Sequence, residues 1–101
     1  MGINVSKNSE SNEVSIVING RFDFSMNSDF RKILSDFGDS GEKYVIDMGA
    51  VEDLDSSALG MLLLLREKAG GDNASIKIRK CRPDIMEMLN MANFQTMFDI
   101  N

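Results

Sequence analysis

The residues able to do chemistry crowd into one stretch, Glu52-Asp53-Leu54-Asp55-Ser56-Ser57. Asp53 and Asp55 could hold a cation or work as acid and base. Neither use is completed elsewhere in the chain. The sequence places no further carboxylate beside a nucleophile, and it has no glycine-rich phosphate loop. The chain contains no histidine, which removes Ser-His-Asp and Cys-His catalysis, histidine-ligated zinc and a histidine phosphorelay together. Carboxylate chemistry is not removed, but nothing in the sequence completes it. No catalytic residue, cofactor or metal is expected, and the chain does not read as an enzyme.

These residues need elements to position them. Ile3 to Lys7 alternates like a short edge strand, followed by a polar turn. Glu13 to Asn19 sets Val14, Ile16 and Ile18 on one face, the period of a strand, and Gly20 is expected to end it. Met26, Phe30, Ile33, Leu34 and Phe37 form the stripe of an amphipathic helix stopped at Gly38, with a turn over Asp39 to Glu42. Lys43 to Met48, with Tyr44-Val45-Ile46, reads as a strand covered on both faces. Gly49 to Asp55 reads as an acidic loop. Ser56 to Ala69 reads as a helix apolar nearly all round through Leu62-Leu63-Leu64-Leu65, hence largely buried, and stopped at Gly70-Gly71. Ser75 to Arg79 is a further strand. Pro83 opens a helix with Ile85, Met88, Leu89 and Ala92 inward, and Thr96 to Ile100 is a last strand. Strands separated by helices require crossovers. The expected fold is a single α/β domain over residues 1–101. It has a mixed, mostly parallel sheet of four to five strands, helices packed against it and an N-terminal edge hairpin.

Composition narrows the function. Of 101 residues, 43% are hydrophobic and 27% charged, ordinary for a globular chain. That size buries one modest core but not a deep lidded cleft as well. Eleven basic against sixteen acidic residues give a formal charge of −5. Such a surface repels phosphate backbones and anionic membranes and suits a basic protein partner. Cys81 is the single cysteine, so no internal disulfide can form, and it reads as a bystander near a strand end. The polar start has no signal-peptide pattern, and the run Ala58 to Leu65 is too short to span a bilayer. A cytoplasmic setting is expected.

Asp55-Ser56-Ser57 therefore falls where a buried strand's loop enters a helix. Two readings fit. The first is plain capping, since Asp and Ser are favoured N-caps, and local sequence alone favours it. The second is a charge switch. A helix start tolerates an anion, a phosphoryl group adds about −1.5 to −2 charges, and Glu52, Asp53 and Asp55 would turn that into a strongly acidic patch.

The stretch Asp55-Ser56-Ser57-Ala58-Leu59-Gly60-Met61-Leu62 resembles the signature of the anti-sigma factor antagonists, the STAS-domain family, Asp-Ser-[Ser/Thr]-Gly-Leu-Gly-x-Leu. Gly20-Arg21-Phe22-Asp23 resembles the family's turn before the first helix. Met88 to Phe94 with Met97 to Ile100 resembles its closing helix and strand. The resemblance spans nearly the whole chain. It implies that Ser56 is the phosphorylated residue and that Ser57 and Ala58 adjoin it, with Asp23, Asp53 and Asp55 flanking the site. It implies an anti-sigma factor that doubles as a serine protein kinase, which the unphosphorylated form binds, and a PP2C-type serine phosphatase. Ala58 stands where the family has glycine. The chain also ends at Asn101, where many relatives add a helix, so part of the usual groove wall is expected to be absent.

Other classes stay open at this stage. The same switch could serve a non-sigma output, such as a signalling, biofilm or motility pathway. Ser56 could merely cap a helix in a constitutive scaffold subunit. Leu54-Asp55-Ser56 also resembles the attachment site of acyl carriers, which are helical bundles and would lack these strands. Of eight methionines, most are expected to fill core gaps. The basic run Lys77, Arg79, Lys80, Arg82 reads as a solvated strand face.

Overall fold

The computed structural model describes residues 2–37 and 43–101. The expected stop at Gly38 and the turn over Asp39 to Glu42 lie outside the described residues. The elements run β1 (Gly2–Asn8), β2 (Glu13–Phe22), α1 (Asn27–Phe37), β3 (Lys43–Leu54), α2 (Ser56–Lys68), β4 (Ile76–Arg79), α3 (Pro83–Met91) and β5 (Asp99–Ile100). The sheet order is β1-β2-β3-β4-β5. β1 pairs antiparallel with β2, and each later pairing is parallel. The edge hairpin and mostly parallel sheet are those expected.

The core lies on one face of the sheet. Val14, Ile16 and Ile18 of β2 are fully buried, as are Ile46, Met48 and Ile78 on the neighbouring strands. The register sets Val14 beside Tyr44 and Ile16 beside Ile46, then Tyr44 beside Ile76 and Ile46 beside Ile78. Against them pack Phe30, Ile33 and Leu34 of α1, Leu62 and Leu65 of α2, and Ile85 and Leu89 of α3. The opposite face carries Ser15, Val17, Val45, Asp47, Lys77 and Arg79, all partly or fully exposed. The double coverage expected for β3 is therefore corrected. Its burial alternates from Lys43 to Met48, and Val45 is a half-buried apolar residue on the open face, between Ser15 and Lys77.

Three further boundaries differ. β2 runs past Gly20 to Phe22. Gly20 adopts a φ of 84°, a region glycine enters without steric cost, and the strand twists there rather than stops. The expected loop at 49–55 is mostly strand. Two irregularities, at Val17/Asn19 and at Gly20/Arg21, oppose extra β3 residues to β2, as β-bulges do. Across them the buried positions fall at Met48, Val51 and Leu54, a spacing of three that hides a strand from a period-two reading. Asp47 Oδ1 accepts the Gly49 amide at 2.9 Å, satisfying a group that the first bulge takes out of the ladder. Finally, the last strand is only Asp99–Ile100, preceded by a 3-10 turn at Phe94–Thr96. There Phe94 and Phe98 stack at 5.1 Å and are buried, so packing between rings one turn apart wins over extension.

α2 is not buried all round. Ala58, Met61, Leu62 and Leu65 face the core, while Leu63 and Leu64 are 41% and 36% exposed. At 100° per residue a run of four leucines must cross from the inner face to the outer one.

Candidate functional site

The site is built where β2 and β3 end together. Arg21 lies opposite Asp53 and Phe22 opposite Leu54, and the Asp55 amide donates to the Phe22 carbonyl at 3.4 Å. The long, bulged β3 thus delivers the chain to the start of α2 beside the turn that leaves β2. In that turn the Asp23 carboxylate accepts from the Ser25 amide at 2.9 Å and from its hydroxyl at 2.6 Å. Those bonds from Ser25, with a smaller contribution from Arg21, hold the Asp23 carboxyl below its ordinary pKa, so it is ionised at neutral pH.

Asp55 is the N-cap of α2, with its Oδ1 accepting the Ala58 amide at 3.0 Å. Ser56 is the first helical residue and is exposed. Among the described residues, no hydrogen bond engages the Ser56 hydroxyl. The cap duty falls on Asp55, which frees Ser56 for another use. Ala58 is wholly buried and lies within the regular helix without a positive φ, so alanine meets no backbone constraint at this glycine position. Replacing Asp55 by alanine is expected to lower stability by about 1 kcal/mol, with Asp55→Asn nearly neutral, as read by urea denaturation.

Three depressions surround this helix start. Arg21, Phe22, Asp23, Asp53, Leu54 and Asp55 line a small acidic cleft of about 50 Å³. It brings Asp23, Asp53 and Asp55 together. Arg21 reaches Asp53 at 3.9 Å, with both side chains at least half exposed, a contact of small energetic weight. Ser56 opens instead onto a groove of about 360 Å³ between α2 and α3, with Leu54, Leu59, Met88, Met91 and Ala92. Ser57 lines a third depression of about 220 Å³ between α1 and α2. Of the six expected residues, Asp23 and Asp53 line the acidic cleft, Asp55 lines both that cleft and the groove of Ser56, Ser57 lines the third depression and Ala58 is in the core.

Sequence reasoning missed Arg21, whose place opposite Asp53 depends on strand register, and Met88 and Met91, which face Ser56 only because α3 docks beside α2. Met91 is 81% exposed. The C-terminal methionines are the ones outside the core: Met86 and Met97 are half-buried and Met88 exposed, while Met26, Met48 and Met61 are buried. Cys81 is half-buried, and burial pushes its thiol pKa up, away from reactivity.

An α/β domain with an exposed serine at the head of its second helix and three carboxylates near it is the arrangement with which known proteins were compared. The family model described as "Mlab, STAS domain" matches residues 5–99. A STAS-domain containing protein of Pseudomonas aeruginosa (strain UCBPP-PA14) is 42% identical over 101 residues, covering all of both chains. The chain belongs to the STAS-domain family. Its fold is similar to that of the anti-sigma factor antagonist SpoIIAA in its unphosphorylated form, with a TM-score of 0.77 at 15% identity, covering 99% of this chain and 87% of that one. It is equally similar to the Bacillus cell fate determinant SpoIIAA in the phosphorylated form, with a TM-score of 0.75 at 13% identity, covering 99% and 91%.

Proposed function

We propose that this protein is a non-enzymatic, phosphorylation-switched binding module of the anti-sigma factor antagonist type, and that Ser56 carries the phosphoryl group. The observation that carries this reading is the division of labour at the helix start: Asp55 caps α2, while Ser56 stands exposed at the lip of an apolar groove. In the unmodified state the groove with Met88 and Met91 receives an apolar side chain of the partner, and methionines adapt to its shape. The carboxylates of Asp23, Asp53 and Asp55 attract basic residues around it. A phosphoryl group at Ser56 sets bulk and about two negative charges at the groove's edge. The helix start tolerates the anion, so the fold persists while the docked partner leaves. SpoIIAA, whose fold this chain shares, is known in both phosphorylated and unphosphorylated forms, which supports the same cycle here.

The partner of this reading is an anti-sigma factor with serine kinase activity, or a regulator of another output engaged in the same way. A PP2C-type phosphatase resets Ser56. Such a cycle operates in the cytoplasm, and among the described residues no helix is long and apolar enough to cross a membrane.

The first test is intact mass measurement and peptide mapping of the protein from its own cells. One phosphoryl group confined to Ser56 is expected. Its absence across growth conditions would move the protein to a constitutive scaffold role, and a phosphopantetheine mass would make it a carrier.

A further inference from the structure

The depression between α1 and α2 plays no part in the switch as described. It is lined by Phe24, Asn27, Arg31, Ser57, Gly60, Met61 and Leu64. Phe24 is 67% exposed, and it is the most exposed aromatic ring among the described residues. The backbone of the turn that bears it is held by the two bonds from Ser25 to Asp23. Leu64 and Leu63 continue the apolar surface along α2.

At the middle of this surface stands Gly60, exposed and in the interior of α2. A Cβ placed there would meet nothing within 4 Å. Glycine in a helix interior is less stable than alanine, and no neighbouring element of this chain needs the side chain to be absent. The missing Cβ makes a notch whose use lies outside the molecule. Small residues at helix surfaces let a second helix approach closely.

Arg31 sits on the rim. The arginines Arg21, Arg66, Arg79 and Arg82 each pair with a carboxylate, whereas Arg31 makes no ion pair among the described residues. On a chain of net charge −5, a free guanidinium beside an apolar notch selects an acidic group.

We infer that the α1–α2 groove is a second docking element, which receives a helix of the partner protein with an apolar side chain packed at Gly60 between Phe24 and Leu64 and a carboxylate paired with Arg31. The inference rests on the proposed function only in taking the same partner. The partner therefore straddles α2. Its basic residues face the acidic cleft and its acidic residue faces Arg31, a charge order that fixes one orientation.

The test uses the full chain and the partner isolated on immobilised Ser56→Ala protein, then purified separately for titration. Gly60→Ala should melt roughly 4 °C higher, as expected for filling a solvent-facing helix glycine, yet bind about tenfold more weakly. Arg31→Glu should bind about tenfold more weakly with an unchanged melting temperature. A photo-crosslinker at Leu64 should attach to a partner helix, and changing that helix's facing Asp or Glu to Lys should restore binding to Arg31→Glu. A lower melting temperature for Gly60→Ala, undiminished binding by both variants, or no rescue would each overturn the inference. If Ser56→Ala and Ser56→Glu bind alike while the Gly60 and Arg31 effects hold, the switch fails and the groove stands. The opposite pattern removes the groove and leaves the switch.

Discussion

Ser56→Ala binds the partner as tightly as the unmodified protein does, and Ser56→Glu or Ser56→Asp loses on the order of 100-fold in affinity. The magnitude follows from position. Ser56 lines the groove that holds Met88 and Met91, so a charge there must either be buried under the partner or hold it off. Burying an unpaired charge against an apolar side chain costs several kcal/mol, and about 2.7 kcal/mol is a factor of 100. A carboxylate carries about half the charge of a phosphoryl group, so the phosphorylated protein loses more than either mimic. Isothermal titration of the three variants at fixed ionic strength checks this. Equal affinities would reduce Ser56 to an ordinary helix residue. Raising salt should leave most of the difference between alanine and glutamate variants in place, because a charge covered by the partner is screened little.

Phe22→Ala produces the largest stability loss, about 3 to 5 kcal/mol. Phe22 is fully buried and its ring lies 5.9 Å from that of Phe30, so truncation removes both burial and an aromatic contact. Domains of this size have roughly 5 to 15 kcal/mol in total, which leaves the variant marginal at 37 °C. The position adds a functional consequence. The Phe22 carbonyl receives the Asp55 amide, and Asp23 follows it directly, so the cavity opens beneath both halves of the acidic cleft. Chemical denaturation gives the loss in stability. A folded Phe22→Leu variant then gives the effect on binding, since leucine keeps most of the buried volume.

Much of this architecture was legible in the residues because one face of the sheet is dry and the other is not. Val14, Ile16 and Ile18 alternate because β2 buries a single side. Phe30, Ile33 and Leu34 recur at helical spacing because α1 buries a single stripe. Asp55-Ser56 marked a helix start because capping is local chemistry. What stayed hidden depends on partners far away in sequence. Whether Leu63 and Leu64 face inward is decided by where α1 and α3 lie. The bulges of β3 are set by its pairing with β2. The end of the chain reads as strand until Phe94 and Phe98 are seen stacked on each other. The same holds for the site: the serine was evident from its neighbours, but the groove it opens on comes from a helix some thirty residues later.

The two bulges carry one more consequence. Each adds a residue to β3 and so inverts which side of the strand faces the helices. Two inversions cancel, and the strand leaves the sheet with the same parity with which it entered. Leu54 therefore points inward and Asp55 outward. Deleting one residue between Gly49 and Asp53 would reverse this, turning Leu54 to water and driving the capping carboxylate toward the core. Deleting two would restore the order with a shorter strand. The length of this segment is thus constrained in steps of two, and the serine's outward placement depends on an even count of bulges upstream of it.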